Sequence, residues 1–227
     1  MWSDLEIVRR AAKRHSVPFW FAYQAHRYHF HKVYYTFCFP MARSMAYAGV
    51  LHGTKALECY TEFDGYVDPA TGGPGVFFEE QKQLNSELHA LGNTLMALEC
   101  LRVIHDDSLL PEHPSMEGLR TPMEESELLQ GTLLPRISVS EHQDAYGNKY
   151  LMVLNRDYER EAHIDLKLKD LSHVYEVSKE DGEQYLRYES TPNLPMHLAP
   201  GDLHLYRIQP AAEAPFTIEY YLEKACK

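Results

Sequence analysis

The sequence has 227 residues, of which 44% are hydrophobic and 24% charged, a composition that excludes wholesale disorder and fibrous classes. No run of about 18 apolar residues is present, so no membrane-spanning helix is expected. The net charge is −11; residues 1–50 hold seven Lys/Arg against two Asp/Glu, a net of +5, and the remainder carries −16. An acidic body repels phosphates, which argues against nucleic acid as a partner, and the basic N-terminal part reads as a solvated helix face. Met1-Trp2-Ser3-Asp4 lacks a signal-peptide pattern, which fits a cytoplasmic location if Met1 is the true start. Four scattered cysteines (Cys38, Cys59, Cys100, Cys226) form no CxxC pair, so neither a zinc knuckle nor a dense disulfide framework is expected.

Ser3-Asp4-Leu5-Glu6 has the form of a capping box, with Trp2 and Ile7 as its hydrophobic staple, and predicts a helix running to about His15. Val17 to Tyr23 is nearly all apolar and suits a strand buried on both faces. Residues 24–39 read as a loop rich in aromatics and histidine. Pro40 then opens a second helix reaching Gly53, and Ala56 to Phe63 is the next strand. A Gly/Pro-rich loop, Gly65 to Gly75, leads to a third helix over 79–102, with Leu84, Leu88, Leu91, Leu95, Leu98 and Leu101 on one face. This alternation predicts α/β units and a parallel sheet over 1–107.

Pro111, Pro114 and Pro122 mark 108–131 as a linker, with one short helix capped at Thr121. Beyond it the pattern turns to short strands at 133–142, 149–155, 162–168, 173–178, 184–189 and 202–208, with hairpin turns at Tyr146-Gly147-Asn148 and Asp181-Gly182. Residues 132–210 therefore read as a small antiparallel β-sandwich and 211–227 as a tail. The fold class is α/β followed by all-β.

One ordered series is specific. It comprises Pro18-Phe19-Trp20, the helix Ala42-Arg43-Ser44-Met45-Ala46-Tyr47-Ala48, His52-Gly53-Thr54-Lys55-Ala56, and the strand Leu57 to Phe63. It resembles the last quarter of a (β/α)8-barrel glycoside hydrolase of the β-galactosidase type, near family 42. Lys82 to Leu88 is similar to the last barrel helix. Tyr150 to Asp157 and Leu198 to Asp202 are similar to the C-terminal β-sandwich. The resemblance covers about residues 2–209 and implies a partial (β/α)8 barrel, the last two βα units, joined to the sandwich. A full barrel takes roughly 250 residues, so the chain would be part of a longer or split protein, or a layer that has become independent.

Barrel active sites lie at the C-terminal ends of the strands, here Tyr23, Gln24 and His26, and Tyr60 to Asp64. Retaining glycosidases need two carboxylates about 5–5.5 Å apart. The resemblance puts a nucleophilic Glu at the end of the seventh strand, where this sequence has Tyr23 and Gln24, and takes the acid from an earlier strand. The chain alone is therefore expected to be inactive. Glu62 is the candidate catalytic carboxylate, or else a solvated strand-end acid. Tyr23, Gln24, His26, Arg27, Tyr60 and Asp64 are candidate contacts to a carbohydrate. Glu58 reads as half of a structural ion pair with Lys55 or Arg43.

His26, His29 and His31 have H-x-x-H-x-H spacing and are an alternative metal set, although Arg27 and Lys32 oppose a cation. Gly72-Gly73-Pro74-Gly75 is a turn, not a phosphate loop. Ser138, Ser140 and His142 lack a GxSxG elbow and read as ordinary strand residues. The sandwich tyrosines read as packing residues rather than a glycan platform. No cofactor is expected. The expected partners are carbohydrate and either the missing barrel half or another copy of the chain. A non-catalytic carbohydrate-binding role is the alternative to a hydrolase portion.

Overall fold

The computed structural model describes residues 1–24, 38–60, 66–68 and 70–211, together with the backbone of 28–30 and 33–35. Helix α1 (Trp2–His15) leads into strand β1 (Trp20–Gln24), and β2 (Tyr28–Phe30) pairs antiparallel with β3 (Val33–Tyr35). Helix α2 (Phe39–Leu51), strand β4 (Ala56–Tyr60) and helix α3 (Phe78–Ala97) follow. The second half holds β5 (Glu99–His105), a one-turn α4 (Leu109–Glu112), 3-10 turns at Pro114–Met116 and Met123–Glu125, and six strands. These are β6 (Leu129–Gln130), β7 (Ile137–Gln143), β8 (Lys149–Asn155), β9 (Ala162–Val177), β10 (Gln184–Leu198) and β11 (Leu203–Pro210).

The capping box does not form. Helix α1 starts two residues earlier, with Met1 as its N-cap in place of Ser3, and no side chain caps it. Glu6 turns inward instead and accepts from Arg9 at 2.6 and 2.8 Å and from Arg10 at 2.6 Å. The staple is absent too, since Trp2 is buried while Ile7 is exposed. Trp2 sits against the His105 ring in an edge contact (centroids 5.5 Å apart), with Arg156 over its face. Arg156 in turn pairs with buried Asp106, so a buried polar cluster ties the start of α1 to the sheet.

Strands β1 and β4 pair in parallel, in register from Trp20↔Ala56 to Gln24↔Tyr60. Helix α2 crosses between them, the connection a parallel pair requires. Gly49 allows the close approach of α2, because a β-carbon there would lie 2.7 Å from the Phe21 ring and 3.1 Å from Leu57. The apolar run is not buried on both faces: Trp20 is 75% exposed and Tyr23 is 2% exposed. With one strand neighbour among the described residues, alternate residues of β1 remain open.

The third helix ends earlier than its leucine spacing implies. Leu98 is already extended, at φ −90° and ψ 137°. Residues 99–105 form β5, antiparallel to β7. Lys55 supplies the stop, donating to the carbonyls of Leu95 (2.7 Å), Met96 (3.3 Å) and Leu98 (2.5 Å). A cation on the last carbonyls of a helix satisfies orphan acceptors and suits the dipole.

Strands β5 to β11 form one antiparallel seven-stranded sheet in the order β10-β9-β11-β8-β7-β5, with β6 also on β9. The strands expected at 162–168 and 173–178 are one strand, and 184–189 extends to Leu198. Strand β9 changes neighbours along its length. Residues 172–176 pair with β11, while Lys167 and Leu168 pair with β6. Register shifts in β10 between Leu186 and Asn193 accompany the change. Strands that change neighbours through bulges make corners, and the sheet curls around its own core. Ile104, Ile137, Val139, Leu151, Val153, Leu166 and Leu194 fill that core. The opposite face, with Met152, Leu154, Leu203 and Leu205, packs in a second core with Tyr47, Leu51, Leu84 and Leu91 of α2 and α3. Both predicted hairpin turns form, with Gly147 at φ +85° and Gly182 at φ +78°.

Candidate functional site

The β1–β4 pair has two unlike faces. Phe21, Tyr23, Leu57 and Cys59 are buried or half-buried and pack in the core shared with the helices. The alternate set, Trp20, Ala22, Gln24, Ala56, Glu58 and Tyr60, lies on the other face. All of that set except half-buried Gln24 are exposed. Two large aromatics at opposite ends of the pair, Trp20 at 75% and Tyr60 at 57%, stand on it. Beside the outer edge of β4 runs a groove of about 510 Å³ lined by Leu57, Cys59, Asn85, Leu88 and Met96. Beside β1 lies one of about 380 Å³ lined by Leu5, Val8, Phe19, Phe21 and Met45.

At the C-terminal ends of both strands the helix-side residues form a hydrogen-bonded cluster. Gln81 of α3 donates from Nε2 to the Tyr23 hydroxyl at 2.9 Å and to Asn85 Oδ1 at 2.8 Å. Its Oε1 accepts from the Tyr66 hydroxyl at 3.0 Å. Burial, with Cys59 beside it, pushes the Tyr23 phenol well above its ordinary value. Tyr66 is raised by burial and by Cys59 in the same way. Both phenols therefore stay protonated and act as hydrogen-bonding groups, not as acids or bases.

The predicted site residues separate accordingly. Gln24 and Tyr60 face each other across the register at the ends of the strands, on the open face. Tyr23 is at the same level but turned inward, held by Gln81, so its hydroxyl is committed to the core. His26, Arg27, His31, Glu62 and Asp64 lie outside the described residues, as does the side chain of His29. Glu58 is not the buried half of an ion pair: it is exposed. Its supposed partners are engaged elsewhere, Lys55 at the end of α3 and Arg43 with Glu87 (3.2 Å) and Asp202 (2.7 Å). Among the described residues of the open face Glu58 is the one carboxylate, so they supply no pair for acid–base cleavage of a glycoside.

Ser140 and His142 are joined after all, Oγ to Nε2 at 2.7 Å, since residues two apart on a strand share a face. Both are at most 1% exposed, and burial holds His142 down to about 3. No substrate reaches them, and the pair is structural.

Sequence reasoning missed Gln81 and Tyr66. Gln81 sits on the buried face of α3 among leucines, and a buried amide on such a stripe needs a polar partner; that is the signal that could have found it.

No family model matches this sequence, and no curated protein does. Solved structures overlap with parts of it. A GH27 β-L-arabinopyranosidase from Geobacillus stearothermophilus is 10% identical, with 95% of this chain and 44% of that one covered at a TM-score of 0.47. A candidate α-N-acetylgalactosaminidase from Bacillus halodurans is 7% identical, with 79% and 34% covered at 0.44. A candidate α-galactosidase/melibiase from Bacteroides fragilis is 14% identical, with 76% and 29% covered at 0.40. All three are glycosidases by name, one of them of family GH27, and none is named as family 42. This chain spans less than half of each. TM-scores under 0.5 mark loose overlaps that carry no argument about activity.

Proposed function

We propose that the chain is the C-terminal portion of a glycoside hydrolase-like protein that acts on or binds carbohydrate and is incomplete for catalysis alone. The observation that carries this is the in-register parallel pair β1–β4 with α2 between its strands, whose second face is left uncovered. In a closed (β/α)8 barrel that face points inward and both strand edges are paired. Here β1 and β4 have no further strand partner among the described residues, and their edges are bordered by mainly apolar grooves, which is where neighbouring strands and helices would pack. The missing barrel half, or a second copy of the chain, would close it.

Carbohydrate would sit at the ends of β1 and β4, with Gln24 directed at sugar hydroxyls and Tyr60 offering an aromatic face. Family 42 remains the finer reading, on the ordered motifs from Pro18 to Phe63. The non-catalytic binding role is the second reading, favoured by the missing carboxylate pair on the described face.

The test combines turnover and binding. The purified chain is assayed against nitrophenyl galactosides and titrated with methyl galactosides by calorimetry. No turnover with weak, saturable binding is expected. Hydrolysis by the chain alone would refute incompleteness, and absence of binding at tens of millimolar sugar would refute the carbohydrate role.

A further inference from the structure

The open end of the β9–β10 hairpin carries a constellation that the carbohydrate reading does not use. His163 on β9 and His197 on β10 are directly opposed in the antiparallel register. Glu161, two residues before His163, projects from the same face. The carboxylate takes both imidazoles: Oε1 lies 3.3 Å from His163 Nε2 and Oε2 lies 3.0 Å from His197 Nε2. The two rings stack with centroids 4.5 Å apart and 20° between planes. All three donor atoms fall within 4.8 Å of one another, and all three residues are exposed.

We propose that Glu161, His163 and His197 form a binding site for a divalent transition-metal ion such as zinc. The spacing is within reach of the metal's own dimensions. With metal–ligand bonds of about 2.0–2.1 Å, adjacent donors of a tetrahedron stand about 3.3 Å apart; each imidazole nitrogen already stands 3.0 or 3.3 Å from one carboxylate oxygen, and a small side-chain adjustment would bring three donors that lie within 4.8 Å of one another onto one ion. Two imidazoles and one carboxylate are borderline donors that suit zinc, nickel or copper over magnesium or calcium. One carboxylate beside two imidazoles gives a net-attractive site for a cation once the metal displaces the ring protons, and both Nε2 atoms already stand against that carboxylate. The fourth position opens to solvent and would hold water. A cross-strand His pair needs little reorganisation, because the sheet fixes both backbones.

The consequence is mechanical. Strand β10 is the edge of the sheet, with proline at positions 192 and 195 and several register shifts. A metal across His163 and His197 would pin its far end to β9, at the opposite end of the hairpin from the turn at Gly182.

The experiment uses the whole chain, purified without a histidine tag and treated with chelator. Zinc chloride is titrated by calorimetry at pH 7.5, and cobalt is followed by its visible absorption. One ion per chain with micromolar affinity is expected, together with a cobalt spectrum of four-coordinate intensity and a zinc-dependent rise in melting temperature. His163→Ala and His197→Ala should each weaken binding at least tenfold, and Glu161→Gln by several-fold. All three positions are exposed, so the metal-free melting temperature of each variant should match the parent. Binding that survives both His substitutions would place the ion elsewhere, on His26, His29 and His31 for instance, and would overturn the proposal. So would the absence of zinc binding at 100 micromolar.

Discussion

Replacing Asp202 with alanine tests how the helical layer is held to the sheet. Asp202 Oδ1 accepts from Arg43 of α2 at 2.7 Å, from Lys179 just past β9, and from its neighbour's amide, Leu203 N–H, at 2.7 Å. Arg43 also reaches Glu87 of α3 at 3.2 Å, and that carboxylate takes the Tyr47 hydroxyl at 2.5 Å. Both cations lie near the Tyr47 ring, Arg43 at 5.7 Å and Lys179 at 5.2 Å. Burial pushes the Asp202 carboxyl up, but the His204 hydrogen bond and the charges of Lys179 and Arg43 outweigh it and hold it well below the usual range. Its contribution is therefore present above about pH 4, its unfolded range, and is lost only as the pH falls further.

The three side chains keep 10–19% exposure. Breaking such a pair by removing one partner costs about 3 kcal/mol, the lower end of the range for buried pairs, because the stranded cations retain some water. For a domain of this size that corresponds to roughly 6–12 °C in melting temperature. Urea unfolding followed by tryptophan fluorescence should show a lower midpoint with an unchanged slope. Adding Lys179→Met should restore part of the loss, since an apolar side chain tolerates that site without a counter-ion. A loss below about 1 kcal/mol, the value of an exposed pair, would refute the assignment of this network as the clamp.

Gly201→Ala should destabilise the protein by at least about 1–2 kcal/mol from its left-handed backbone alone: Gly201 has φ +68°, and a β-carbon there runs into the Pro40 carbonyl of α2, as equilibrium unfolding will show. Lys55→Met should cost about 1–2 kcal/mol, by analogy with other charged hydrogen bonds, and should selectively speed amide exchange in the last turn of α3. Burial holds His52 down to about 4, against the pull of its bond to the Ala48 carbonyl, and His142 down to about 3. Both must stay neutral in the fold, so stability is full above about pH 6.5 and each histidine removes about 2 kcal/mol between pH 6.5 and 5. A urea midpoint that is flat across that window would contradict their burial as neutral rings.

The elements with local signals were legible. Pro40 opens α2 near its true start, the apolar run contains β1, and Gly147 and Gly182 mark both hairpins. The parallel β1–β4 pairing followed from helix–strand alternation. What failed depended on partners distant in sequence. Nothing local stops the leucine spacing of α3 at Ala97, because the stop is Lys55, some forty residues earlier. Ser3 and Glu6 spell a capping box, yet Glu6 gains more from two arginines on the inner face of α1. Strand β9 reads as two strands because exposed Lys169, Asp170 and Leu171 interrupt its alternation at the corner where it changes neighbours. Of the candidate site, the strand-end positions of Gln24 and Tyr60 were legible, whereas the inward turn of Tyr23 is set by Gln81 across the fold.

Nitrogen-edited NMR of the chain titrated with methyl β-galactoside tests the central claim most directly. The indole signals give an internal contrast, with Trp20 on the open face and Trp2 buried against His105. The account predicts saturable shifts at Gln24, Tyr60 and their strand neighbours, grading away toward Trp20 and leaving Trp2 unmoved. Shifts confined to the curled sheet, or none at saturating sugar, would contradict a carbohydrate site at the ends of β1 and β4.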